Sequence, residues 1–494
     1  MKFISLIALL ISLSLQGQVK FDKIFNDHMV LQAGKTFAIT GKGIPGHEIQ
    51  VTIHAQKKYH ATVNADSIWT CNIIPQKPSD SSFDIIVSDG DFQDKVTDVI
   101  FGDVWLCAGQ SNMEFPLSAD KYVDGEKSAL GNQLLRLYNP NYVGKDMYGK
   151  PYTDSMKTAL KNGQFYSGVW ESSNSNASLR MSAIGYYFGK ILSNEIKQPI
   201  GIINLSVGGS PIESWLDRNI LKQSDSFSVK ADSNWIFNDD LPVWVRQRAT
   251  ENVGAQEKNS DHAFKPGYIY EHGIELISKL PIKGILWYQG ESNAQEMPRV
   301  IEYPALLRLM ISDYRKAWSV SDLPFYIIQL SSIDTVGYKS KYWPAFRQLQ
   351  YDIVSKKDHI GIVPTHDLGN RNNVHPNDKK TVATRLSNLV LHDVYQLKSF
   401  QPGPLPIKAI YRKHRVVLSV KTGLGPLKTM NGKEVKGFSL DGIHGVAARI
   451  KNKKIIIDTT SAPQNMYYSI LPFSDANVID GSGNALPAFK LKVN

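Results

Sequence analysis

Four short polar segments of this chain carry residue types suited to acyl transfer. The first, Gly109-Gln110-Ser111-Asn112-Met113, follows the apolar run Asp103–Ala108 directly. A serine in a tight turn at the carboxyl end of a buried strand presents its hydroxyl as a nucleophile, with backbone amides nearby to hold an oxyanion. The second, Asn204–Ser210, ends the run Ile200–Leu205 and contains Gly208 and Gly209, which permit either a close backbone approach to a ligand or a plain tight turn. Ile212, Glu213 and Trp215 close it. In the third, Trp287-Tyr288-Gln289-Gly290-Glu291-Ser292-Asn293, Gln289 and Asn293 carry amide donors, and Glu291 either orients neighbours or pairs internally. The fourth, Asn373-Val374-His375-Pro376-Asn377, places an imidazole on a loop after the last candidate strand. From there it can reach over the sheet end toward Ser111 and accept its proton near neutral pH. No phosphate-binding glycine motif follows Gly209, and His-Glu-x-x-His and Cys-x-x-Cys are absent. The chemistry expected needs neither a metal nor an organic cofactor.

The elements that must position these segments are legible as alternating patterns. Ile184, Tyr187, Phe188, Ile191 and Leu192 recur at helical spacing before the run from Ile200. Further buried-type strands are expected at Ile282–Tyr288, Phe325–Leu330 and His359–Val363, with a helix opened by Pro304 between the first two. Apolar strands joined by helices predict an α/β fold with a mostly parallel sheet covered on both faces, its ligand site beyond the carboxyl ends of the strands. Before it, Phe37–Thr40, Glu48–Ile53 and Phe83–Val87 predict a small β-sandwich. After the Pro-rich link Gln401–Pro406, Arg415–Val420, Val446–Ile450 and Lys454–Asp458 predict a second β-region. The expected division is an N-terminal β-domain at 18–100, an α/β domain at 101–398 and a C-terminal β-domain at 399–494. The stretch Asp120–Leu179 is too irregular to assign.

Lys2 and the apolar stretch Phe3–Leu15 predict a secretory signal peptide over 1–17, with an uncleaved anchor as the alternative. No later run is long enough to span a bilayer, so the mature protein is expected outside the cytoplasm, secreted or periplasmic. The two cysteines, Cys71 and Cys107, either pair or remain buried thiols. Lys and Arg total 56 against 46 Asp and Glu, a net charge of +10, but the charges are scattered. That argues against nucleic-acid binding, which needs a concentrated basic surface, and leaves an anionic substrate or simple solubility as its meaning.

Together the four segments resemble the SGNH (GDSL-type) hydrolase superfamily, and within it the sialate O-acetylesterase family of carbohydrate esterases. Gly-Gln-Ser-Asn-Met, Gly-Gly-Ser-Pro-Ile-Glu-x-Trp, Trp-Tyr-Gln-Gly-Glu-Ser-Asn and Val-His-Pro stand in that family's order, and Asn26–Gln32 is similar to its N-terminal β-domain. The resemblance implies an SGNH-like three-layer α/β/α domain flanked by β-sandwich-like domains. It implies Ser111 as nucleophile and His375 as base, with an oxyanion hole from the Ser111 amide, Gly208 or Gly209, and an amide side chain, Gln289 in preference to Asn293. The substrate implied is an O-acetylated sugar or glycan. Trp215 and Glu291 are candidate substrate contacts, Trp287 and Tyr288 candidate stacking surfaces, and Arg180 or another cation a candidate for a sialate carboxylate.

One departure matters. Where the superfamily often has an aspartate two or three residues before the histidine, this chain has Asn373 and Asn372. Three explanations stand: a Ser-His dyad, a carboxylate from elsewhere such as Asp367, or an impaired enzyme. The rival readings are accordingly an acetylxylan or other glycan acetylesterase, and a secreted glycan-binding protein with a weak or dead site. Oligomeric state is not legible.

Overall fold

The computed structural model describes residues 19–494 except 55–56, 255–258, 337, 355–356, 431 and 433. The expected signal peptide lies outside the described residues. One long strand, β1 (Gln93–Gly109), organises the rest. Its first half pairs antiparallel with Ser79–Ser88 and parallel with Val30–Gln32; its second half lies between two parallel neighbours. The central sheet continues with β2 (Asn132–Tyr138), β3 (Trp170–Ser173), β4 (Ile200–Asn204), β5 (Gly284–Tyr288), β6 (Phe325–Ile328) and β7 (Ile360–Val363), in the order β3-β2-β4-β1-β5-β6-β7. Every neighbouring pair from β2 to β7 is parallel, and β3 alone runs antiparallel at its edge. The chain leaves β1 toward one side, returns, and builds β5 to β7 on the other. The carboxyl end of β1 is therefore the switch point at which such sheets hold ligands.

Six helices position the site: α1 (Ser111–Glu114), α2 (Ala183–Ile196), α3 (Val243–Val253), α4 (Met297–Ala317), α5 (Trp343–Tyr351) and α6 (Lys379–Asp393). β4, β5 and β6 are buried at every residue, as parallel strands packed on both sides must be. The register makes both faces visible. Gly185 and Gly189 of α2 lie against Cys107, Ile202 and Leu135, and α2 packs on α6. Leu286 is level with Cys107, so Trp287 points the other way and donates to the Tyr303 hydroxyl of α4, 3.1 Å away. α4 begins at Met297, two turns before the expected start. Pro298 occupies its first turn, where a missing N–H costs nothing, and Pro304 lies inside. The buried face Val300, Tyr303, Leu306, Leu307 and Met310 is continuous through it, and packing outweighs the one backbone bond that Pro304 cannot make.

A hydrophobic core runs unbroken from the N-terminal strands into the central sheet, while residues between Ala409 and Phe489 form a second core. Arg347 on α5 joins the two regions, its buried guanidinium donating to the carbonyls of Ser331 and Leu471. Of the expected strand Val446–Ile450, only Arg449 and Ile450 are in a strand, which runs Arg449–Lys451. Cys71 and Cys107 are free, buried thiols on different strands. No helix among the described residues is long and apolar enough to cross a membrane.

Candidate active site

The end of β1 is clamped before it turns. A Cβ on Gly109, which has φ +128°, would lie 2.1 Å from the Tyr288 carbonyl oxygen, and the Gln110 amide donates to that same oxygen at 2.9 Å. Only glycine permits so close an approach at that φ. The turn delivers Ser111 to the start of α1, half-buried, with its Oγ 2.8 Å from His375 Nε2. The structure thus joins two residues 264 positions apart that the sequence had paired only by type.

The loop carrying His375 is held by its own asparagines. Asn370 Oδ1 accepts from the amides of Asn372 and Asn373, and Asn373 Oδ1 accepts from the His375 amide at 2.8 Å. The residues standing where an aspartate was expected shape the turn and leave the ring uncharged. Among the described residues, no carboxylate oxygen comes within ion-pair distance of the His375 ring. Asp367 does not orient it, correcting that expectation. Both of its oxygens are taken by Arg385, at 2.8 and 2.6 Å, in a buried bidentate pair. Burial pushes its carboxyl up, but the hydrogen bonds and charge of Arg385 outweigh that and hold it below the usual carboxylate range.

Beneath the Ser-His pair lies a buried polar cluster that the sequence did not reveal. Asn112 Nδ2 donates to Glu291 Oε1 at 2.5 Å and to the Val374 carbonyl at 3.0 Å, and its Oδ1 accepts from Lys379 Nζ at 2.5 Å. One amide thus ties α1, the β5 loop, the histidine loop and α6 together. Lys379 Nζ also lies 5.0 Å from the Phe115 ring centre and 5.5 Å from that of Tyr288. Burial lowers the Lys379 pKa to about 7 and raises that of Glu291 to about 7, each only partly offset by the other's charge. Glu291 Oε2 has no hydrogen-bond partner. Burial, helped by the Lys379 charge, lowers the His375 pKa to about 4, so the ring is a neutral proton acceptor at ordinary pH.

The expected oxyanion donors divide. Ser111 and Gly209 line the cleft, and among the described residues their amides donate to no protein acceptor. The Gly208 amide is taken by the Tyr142 hydroxyl at 3.3 Å. Gln289 lies below the cleft, fully buried. Its Nε2 faces Gln110 Oε1, the Ser210 carbonyl and Asn293 Oδ1, so it has no donor left for a ligand. Asn293 spends its Nδ2 on Glu213 at 2.9 Å. Of the amide side chains in the four polar segments, the one that reaches the cleft is Gln110. Its Oε1 accepts from Gln289, Gly290 and Ser292, which leaves Nε2 without an internal acceptor. Trp215 is also buried, donating to Ser210 and packed on Trp287, and Tyr288 and Glu291 lie under the floor, so none of the four touches a ligand in the cleft. Arg180 pairs with Glu171 on the surface.

The cleft itself, about 670 Å³, is walled by Tyr148, Trp244, Arg248, Tyr338, Val374 and Gly209. Tyr148 comes from the stretch too irregular to assign, and Trp244 and Arg248 from α3, which carries no strong periodic signal. The one available clue was Gln110, adjacent to Ser111.

Residues 259–391 match a family model described as carbohydrate esterase, sialic acid-specific acetylesterase, a span holding the β5 loop and the histidine loop. The chain is 26% identical to the sialate O-acetylesterase of Mus musculus over 428 residues, covering 79% of this chain and 76% of that protein. It is 26% identical to that of Homo sapiens over 429 residues, covering 81% and 76%. In fold it resembles a carbohydrate acetylesterase from Xanthomonas citri, with a TM-score of 0.75 at 24% identity over 96% of this chain and 99% of the other. With the Ser-His pair at its switch point, the chain is similar over about four fifths of its length to the sialate O-acetylesterases, and residues 259–391 match the model of that carbohydrate esterase family.

Proposed function

We propose that this carbohydrate esterase removes O-acetyl groups from sugars through a serine acyl-enzyme, with O-acetylated sialic acid as its substrate. The observation that carries the reading is the 2.8 Å hydrogen bond between Ser111 Oγ and a neutral His375 Nε2 at the floor of an open cleft. His375 takes the Ser111 proton as Oγ attacks the acetyl carbonyl. The amides of Ser111 and Gly209 and the Gln110 side chain hold the oxyanion. The imidazolium then gives its proton to the departing sugar oxygen, and water, deprotonated by the same ring, releases acetate. With no carboxylate at the ring, the pair works as a dyad whose orientation comes from the Asn373 turn and the Asn112 tie.

The central sheet with its helices on both faces is read as an SGNH-type three-layer domain over 101–398, between β-domains at 18–100 and 399–494. The apolar leader is read as an export signal. The test is acetate release from O-acetylated sialic acid and O-acetylated xylo-oligosaccharides, alongside labelling by a fluorophosphonate. We expect Ser111 to be labelled, sialate to be preferred, and Ser111→Ala to lose at least about 10⁴-fold in kcat. Failure of the folded protein to label at Ser111 overturns the reading.

A further inference from the structure

Arg248 shares the cleft with Ser111 and His375. Its guanidinium lies 5.0 Å from the ring centre of Tyr148 and 5.5 Å from that of Trp244. Both rings abut the glycine pair. A Cβ on Gly208 would fall 2.1 Å from the Tyr148 hydroxyl, and one on Gly209 3.0 Å from the edge of Trp244. The cation therefore stands one aromatic ring away from the backbone that faces the acetyl carbonyl.

That guanidinium is held but not satisfied. Its one ion-pair partner among the described residues is Glu251, one turn along α3 at 3.2 Å, a carboxylate 52% exposed and thus well screened. Its Nε makes no hydrogen bond. A guanidinium is a planar fork matched to a carboxylate, and the flanking rings restrict where it can sit before any ligand arrives, which reduces the ordering cost of binding. The same rings offer flat apolar surface to a sugar, and Lys339 adds a second positive charge to the cleft.

We infer that Arg248, framed by Tyr148 and Trp244, binds the carboxylate of an acidic sugar whose acetyl ester is held at Ser111. Arg248 is thereby the residue that makes the cleft prefer the free acid to its uncharged ester. This rests on the esterase reading of Ser111 and His375.

The experiment compares kcat/KM for 9-O-acetyl-N-acetylneuraminate with that for its methyl ester, which keeps the acetyl group and removes the negative charge. The native enzyme is expected to prefer the free acid by about 10- to 100-fold, the range for one charge-assisted contact. Arg248→Gln is expected to erase that preference, and Glu251→Gln, by removing a competing carboxylate, to increase it. Fluorophosphonate labelling of Ser111 verifies that each variant is folded. As a measurement needing no variant, free N-acetylneuraminate should inhibit aryl acetate hydrolysis more strongly than its methyl ester does. A preference that survives in Arg248→Gln, or a native enzyme that deacetylates acid and methyl ester equally, overturns the inference and leaves the esterase reading standing. A folded native protein that neither labels at Ser111 nor releases acetate defeats both.

Discussion

Asp367 and Glu291 are both carboxylates buried at the carboxyl edge of the sheet, yet they have opposite fates. Asp367 meets a guanidinium fork that fills both oxygens, and its carboxyl is held low. Glu291 has one short bond from Asn112, one orphaned oxygen, and a pKa raised to about 7. Equal burial therefore does not mean equal role. Where every polar atom is saturated, as in Asp367–Arg385 or Gln289–Asn293, the groups hold the fold. Where capacity is left over, as in Glu291, Lys379 and Gln110, they lie beside the chemistry.

The sharpest way to break this contrast is Asp367→Asn. It strands the buried Arg385 and should cost about 3–5 kcal/mol in urea unfolding. The folded fraction should keep its kcat within about tenfold; a loss near 10⁴-fold would instead make Asp367 the triad acid. The next test sets the amides against each other. Gln110→Ala should lower kcat about 10²- to 10³-fold with little change in KM. Gln289→Ala should act mainly on stability, by about 1–3 kcal/mol, because it strips partners from buried groups. Equal kcat losses in the two would erase the distinction between a saturated and a spare amide.

A third test uses pH. Between the ordinary glutamate range near 4.5 and about 7, folded Glu291 keeps a proton that the unfolded chain has lost, so its contribution takes stability away as pH rises. Asp367, held low when folded, does the reverse: its stabilisation is present above the ordinary aspartate range and is lost on acidification. Glu291→Gln should therefore flatten the decline in stability between pH 4.5 and 7, measured by urea midpoints across pH, whereas Asp367→Asn should remove the acid-side loss. The smallest effect is in the rate profile. The acid limb of kcat/KM should fall near pH 4, where His375 protonates, and Lys379→Met should move it upward because a nearby positive charge is gone. A limb unmoved by that substitution would detach Lys379 from the base.

Much of this was legible in the chain. The runs before Gly109, Asn204 and Tyr288 announced buried strands, and the polar segments after them announced the sheet edge. Glu48–Ile53 and Lys454–Asp458 were placed to the residue. Of the candidate site residues, Ser111, His375 and Gly209 are the ones the structure brings together at the cleft. Gln289 misled because an amide in a polar loop looks available, and its saturation by Gln110, Ser210 and Asn293 is a property of three loops meeting. Asp367 misled because nearness along the chain was taken for nearness in space.

Residue type and spacing by themselves determined the α/β alternation and the strand ends that carry polar loops, and made Ser111 and His375 candidates, since burial periodicity and turn chemistry are local. Which of the loop amides faces the cleft, which carboxylate is spent, and that Asn112 ties three other segments to its own helix through one side chain were decided by tertiary structure alone. Hydrogen-bond satisfaction and desolvation depend on neighbours distant in sequence, and no local pattern encodes them.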